Sequence, residues 1–200
     1  DISVFMDISK FDSIVDAVRD NAFGYKALKT YMSPHYTGVD VLCAPTTPEQ
    51  ADMINPDHVN KIITALKSNY DYTIIDLPPV FDDKTITALR ISNEIFSIVN
   101  PDVSSLKNSS VSYGVLGSLQ CAEKVKYVLT KSGSSKINAK EVAAALNHDI
   151  SFEIPLNIDD AVAAVNKGVP LVVNTPKSKI AEGIRSYTNG IVPGSGTMPK

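Results

Sequence analysis

Two hundred residues, 44% of them hydrophobic and 20% charged, suffice to bury one continuous core without metals or disulfides. The formal net charge of −3 supplies no basic stripe and argues against a dedicated nucleic-acid binder. No apolar run approaches the roughly 18 to 20 residues that span a bilayer, and no basic-then-apolar leader opens the chain, so a cytoplasmic protein without direct membrane insertion is expected.

The first residue is Asp1, not methionine, so the sequence predicts either an upstream segment or processing. Residues 1–8 are short and apolar, and their conformation stays open. Ser9 precedes Phe11, Ile14, Val15 and Val18 at helical spacing, with Asp12 three residues on; a helix capped at Ser9 is expected. Residues 21–38 read as irregular. Val39 to Ala44 reads as a short buried strand stopped by Pro45 and Pro48. Asn55-Pro56 then caps and opens a helix with Val59, Ile62, Ile63 and Leu66 on its inner face.

Tyr72 to Leu77 reads as a β-branched strand ended by Pro78-Pro79. A helix over 84–91 leads to a strand over 94–99, and Pro101-Asp102 opens a long helix towards Gln120. Val125 to Thr130 is the next strand. Asn138 with Glu141 forms a capping box, Ser151 to Ile154 a strand, Ile158 to Lys167 a helix closed by Gly168, and Ser178 to Tyr187 a last helix. The Gly- and Pro-rich residues 189–200 are expected to be disordered. Several strands are apolar throughout, which points to burial on both faces. The pattern predicts an α/β fold, a mostly parallel sheet with helices on both faces, forming one domain over 1–188. Ligands in such folds sit beyond the carboxyl ends of the strands.

Cys43 and Cys121 match no metal-ligand spacing and read as buried thiols in a reducing compartment. His35, His58 and His148 are scattered and add no zinc pattern. Asp76, after the apolar Ile74-Ile75, is more pointed, because an unpaired charge at the end of a buried strand is costly. It either caps the following turn or faces a magnesium-bound water near a nucleotide γ-phosphate. Asp82 and Asp83 could ligate metal, but an N-cap with favourable charge at a helix start is the simpler reading.

The run Tyr70-Asp-Tyr-Thr-Ile-Ile-Asp-Leu-Pro-Pro-Val-Phe-Asp-Asp83 resembles the switch segment of MinD/ParA-class P-loop ATPases, and within them the pilus-assembly CpaE/TadZ proteins. Leu42-Cys-Ala-Pro-Thr-Thr-Pro-Glu-Gln-Ala51, Asn100-Pro-Asp-Val-Ser-Ser-Leu-Lys-Asn108 and Ile154-Pro155 with Ala164 to Val172 resemble further family elements in the same order. The resemblance extends to about residue 188. It implies ATP or ADP with Mg2+ as cofactors, Asp76 as the catalytic carboxylate acting on magnesium through water, and Pro78 as a cofactor-binding residue. It also implies that Thr130, Lys131, Pro155 and Leu156 contact the base. At Thr130-Lys131 the family usually has an asparagine that reads adenine, so base selectivity is open, and a solvated role for Lys131 stays open too. A homodimer and pilus secretion machinery are the implied partners, with localisation at the membrane or pole through them.

None of the ten glycines forms the Gly-Lys-Ser/Thr turn that cradles phosphates. In the resembled family that loop lies before the segment matching Asp1, so a fold lacking its phosphate cradle and unable to hydrolyse ATP by itself is expected. A non-catalytic scaffold of the same fold is the alternative. A bacterial tyrosine kinase shares the Asp-x-Pro-Pro piece but would carry a terminal tyrosine cluster, whereas only Tyr187 lies near this end. A dinucleotide oxidoreductase lacks its Gly-x-Gly-x-x-Gly turn.

Overall fold

A computed structural model describes residues 2–9 and 12–192. It divides into two compact units, Asp1–Ser92 and Asn93–Lys200.

The first unit is mainly helical. It runs through α1 (Ile2–Phe5), α2 (Ile14–Arg19), α3 (Tyr25–Leu28) with a following 3-10 turn, β1 (Ser33–Pro34), β2 (Asp40–Val41), α4 (Pro48–Ala51), α5 (Pro56–Lys67) and α6 (Asp83–Ile91). The helical stripe expected near Ile14 is present, but its cap is Ser13, not Ser9. The Ser13 hydroxyl accepts from Val15 N–H at 3.2 Å while the Asp16 carboxylate accepts from Ser13 N–H at 2.8 Å. Ser9/Asp12 and Ser13/Asp16 share one spacing, and a parallel bridge between Ser13 and Cys43 anchors the second pair. Val15, Val18, Leu28, Ile62 and Leu66 close around one core.

Two strand expectations in this unit need correction. Only Asp40–Val41 of the run 39–44 is a strand, and it pairs antiparallel with Ser33–Pro34, inside the stretch expected to be irregular. Residues 72–77 form no strand. Thr73, Ile75 and Leu77 are half-buried while Tyr72, Ile74 and Asp76 are exposed, Ile74 to 85%. An alternation of this kind is an extended segment with one face in contact and one in solvent. The β-branched run therefore has strand propensity but forms no strand among the described residues, and it is not buried on both faces.

The second unit follows the expected alternation closely. Its elements are β3 (Ile95–Val99), α7 (Val103–Ser118), β4 (Val125–Ser132), α8 (Ala139–Leu146), β5 (Ile150–Pro155), α9 (Ile158–Lys167), α10 (Leu171–Asn174) and α11 (Lys179–Ile191). The strands form a parallel sheet in the order β3-β4-β5. On one face Val99, Tyr127 and Leu129 pack with Val142 and Leu146 of α8 and with Leu106 and Tyr113 of α7. On the other face Phe152 stacks on Tyr187 of α11 at 4.2 Å, and Phe96 meets the same ring edge-on at 5.8 Å. Helices thus cover both faces of a parallel α/β sheet. The sheet and α11 approach closely at Gly183, where a Cβ would lie 2.9 Å from the Glu153 carbonyl oxygen. Helix α11 continues to Ile191, past the expected end at Tyr187. The expected disorder of residues 193–200 lies outside the described residues.

Candidate functional site

The carboxyl ends of β3, β4 and β5 define the site in the second unit. Thr130 lies opposite Ile154 and Ser132 opposite Pro155, with an irregularity between Thr130 and Ser132. That irregularity is Lys131, whose φ of 54° is left-handed. For a residue with a Cβ this conformation costs about 1–2 kcal/mol, so the surrounding contacts must hold it. They do: Leu156 N–H donates to the Ser132 carbonyl at 3.1 Å, and Ser134 N–H donates back to Lys131 at 3.1 Å. Gly133, at φ 81°, completes the bend. Lys131 is exposed, Pro155 is half-buried and Leu156 is 43% exposed.

The Thr130 hydroxyl donates to Asn100 Oδ1 at 2.8 Å, while Asn100 N–H donates to Ser105 Oγ at 2.9 Å. Ser135 Oγ donates to the Pro101 carbonyl at 2.8 Å and draws the post-β4 loop to the end of β3. Asn157 then caps α9, its Oδ1 accepting from Asp160 N–H at 3.1 Å. The result is a shelf of Thr130, Lys131, Pro155 and Leu156 at the carboxyl edge of a parallel sheet, where α/β folds bind ligands. Four of the expected base-contact residues are brought together there. Sequence reasoning did not single out Asn100 as part of this site; its position one residue past β3, level with the end of β4, was the available signal.

Asp76 and Pro78 lie in the first unit, both exposed. Nearby, the Thr73 hydroxyl is buried without a hydrogen-bond partner among the described residues. Asp82 is the N-cap of α6, accepting from Thr85 N–H at 2.8 Å, and this bond holds its carboxyl below the usual range. The capping reading of that residue therefore holds. Among the described residues no three His, Cys, Asp or Glu side chains gather as a metal site. Cys43 and Cys121 are free and buried. No helix of the described residues is long and apolar enough to cross a membrane.

The fold, an α/β arrangement with a parallel sheet, matches those of solved ParA and MinD ATPases. A ParA family ATPase from Chlorobium tepidum superposes with a TM-score of 0.87 at 20% identity, over 94% of this chain and 78% of that one. The septum site-determining protein MinD of Pyrococcus horikoshii, solved with Mg-ADP, gives 0.81 at 20% identity, over 97% of this chain and 79% of that one. In sequence, a putative septum site-determining protein MinD of Emiliania huxleyi is 22% identical over 126 residues, 60% of this chain and 46% of that protein. The chain spans less than half the length of that relative. No family model matches the sequence.

Proposed function

We propose that this chain is the base-binding and switch portion of an ATP-dependent MinD/ParA-type switch, acting in localisation of a CpaE/TadZ-like pilus assembly system. The shelf at the carboxyl ends of β4 and β5 carries this reading. Lys131 is held there in a strained conformation, and Pro155-Leu156 offers a flat, half-exposed apolar surface suited to a purine ring. In this reading Leu156 packs on the base, the backbone of 131–133 and 155–157 supplies polar contacts, and Thr130 fixes the loop through Asn100. Asp76 would accept a hydrogen bond from a water on magnesium, and the bound metal would neutralise phosphate charge. Homodimerisation and binding to pilus secretion proteins belong to the same proposal.

Nucleotide binding and hydrolysis by the protein that carries this chain test it. Leu156→Asp should weaken ADP binding at least about tenfold through the lost apolar contact. Asp76→Ala should leave ADP binding within about twofold but reduce hydrolysis about 100-fold or more. Hydrolysis unaffected by Asp76→Ala would remove that residue from the mechanism. ADP binding without hydrolysis in the unmutated protein would favour the scaffold, a reading also consistent with Thr130 standing where the resembled family usually has asparagine.

A further inference from the structure

Thr130 and Asn100 share one hydrogen bond, and the sharing leaves an acceptor on one residue and donors on the other. The Thr130 hydroxyl has a single proton. It goes to Asn100 Oδ1 at 2.8 Å, with a longer approach to the Val99 carbonyl at 3.4 Å. Towards any other group Thr130 can therefore only accept. Asn100 Oδ1 receives that bond, while no acceptor among the described residues takes a proton from Asn100 Nδ2. Asn100 thus keeps two free N–H donors.

The pair is well placed and well held. Val99 lies opposite Leu129 and Thr130 opposite Ile154, the residue before Pro155, so the two side chains border the shelf on its β3 side. Both are half-buried and remain partly open to solvent. Asn100 N–H donates to Ser105 Oγ at 2.9 Å and Ser105 N–H to Asp102 Oδ1 at 2.8 Å, which fixes the backbone beneath them.

An acceptor beside a donor discriminates among purines. Adenine presents an amino group at C6 and a bare ring nitrogen at N1, a donor beside an acceptor. Hypoxanthine and guanine present the reverse, a carbonyl at C6 and an N1–H. A polar group left facing its own kind loses its hydration without replacement, and sites reject close analogues on that basis. We infer that Thr130 and Asn100 form a base-selecting pair, Thr130 Oγ1 accepting from the adenine amino group and Asn100 Nδ2 donating to N1, so that 6-amino purines are taken over 6-oxo purines. This selectivity rests on the base-binding role of the shelf proposed above.

ADP and inosine diphosphate differ only along this edge, so their dissociation constants, measured by calorimetry on the protein that carries this chain, isolate it. ADP should bind at least about tenfold more tightly. Asn100→Asp keeps an acceptor for Thr130 but replaces the donors, and Thr130→Val removes the hydroxyl at nearly equal shape. Each should bring the two affinities to within about threefold of one another, whereas Thr130→Ser, which keeps the hydroxyl, should retain the preference. A purely structural role would weaken both ligands alike and leave their ratio unchanged. Equal affinity in the unmutated protein overturns the inference while leaving the shelf a base site. So does a preference that survives both Asn100→Asp and Thr130→Val, or one lost as fully in Thr130→Ser. Binding of neither nucleotide overturns the base-binding reading itself, and the role of this pair with it.

Discussion

Asp40 accepts hydrogen bonds from Lys29 Nζ and, at 2.8 Å, from the Tyr70 hydroxyl, tying the β2 strand to the turn after α3 and to the end of α5. The Lys29 bond holds the Asp40 carboxyl below its ordinary 3.8, and the same bond raises Lys29. Burial, then the bond to Asp40, pushes the Tyr70 phenol up to about 12 from 10.0. The signs set a window. A lowered carboxyl contributes stability above its unfolded value and loses it as pH falls below about 3.8. A raised phenol and a raised ammonium contribute fully below their unfolded values and lose it as pH rises beyond about 10. The urea midpoint should therefore be flat between these limits and decline outside them. Asp40→Asn should lower the plateau and flatten the acid limb; an acid limb as steep as in the unmutated chain would show that Asp40 does not govern it. None of this was legible in sequence, because Lys29, Asp40 and Tyr70 are brought together only by tertiary packing. Thr130 and Lys131 were singled out through the family resemblance, and the structure puts them near the end of the pairing between β4 and β5.

At the scale of elements, the sequence was read best where a cap and a period agree. Asn55, Asn138 and Asp102 each accept hydrogen bonds at the helix starts expected for them, and Gly168 adopts φ 61° where α9 ends. It was read worst where two equal signals compete, as at Ser9 and Ser13, or where strand propensity does not become a strand, as at 72–77. Strand propensity is a preference for a pleated, half-buried surface, and pairing decides whether it is used. The seat of α11 on β5 was equally hidden, since a glycine inside a helix advertises flexibility and here serves close approach. Gly183→Ala would place its methyl 2.9 Å from the Glu153 carbonyl oxygen and push the helix off the strand. Overpacking of this kind costs about 1–3 kcal/mol, partly offset by alanine's better helix propensity. Chemical denaturation should show a net loss of about 1 kcal/mol or more. An unchanged or raised midpoint would mean that the backbone yields there without strain.

Across the whole molecule, protection is distributed unevenly. β4 is hydrogen-bonded on both sides, and Tyr127, Val128 and Leu129 are nearly inaccessible. Residues 73–77 have comparable apolar content but join no ladder among the described residues. Amide exchange depends on opening of hydrogen-bonded structure rather than on hydrophobicity. Residues 73–77 should therefore exchange at least about 100-fold faster than 127–129 in the free chain. Matching rates would show pairing of that segment in solution. The α/β class was readable because the alternation of strand and helix repeats through the second unit. The division at Ser92–Asn93 was not, since no shift in composition marks it.

Strand β3 carries a last consequence. Its one hydrogen-bonded neighbour among the described residues is β4, and Phe96 and Ile98 project from it 40% and 59% exposed. A row of backbone donors and acceptors left open on one side, beside partly exposed aromatic and aliphatic side chains, is a template on which other chains can add as sheet. The Glu94–Lys126 ion pair at the strand's start acts as a gatekeeper at one end, while Val99-Asn100-Pro101 interrupts growth at the other. The open edge of β3 is therefore where ordered, sheet-like association of the isolated chain is expected to begin.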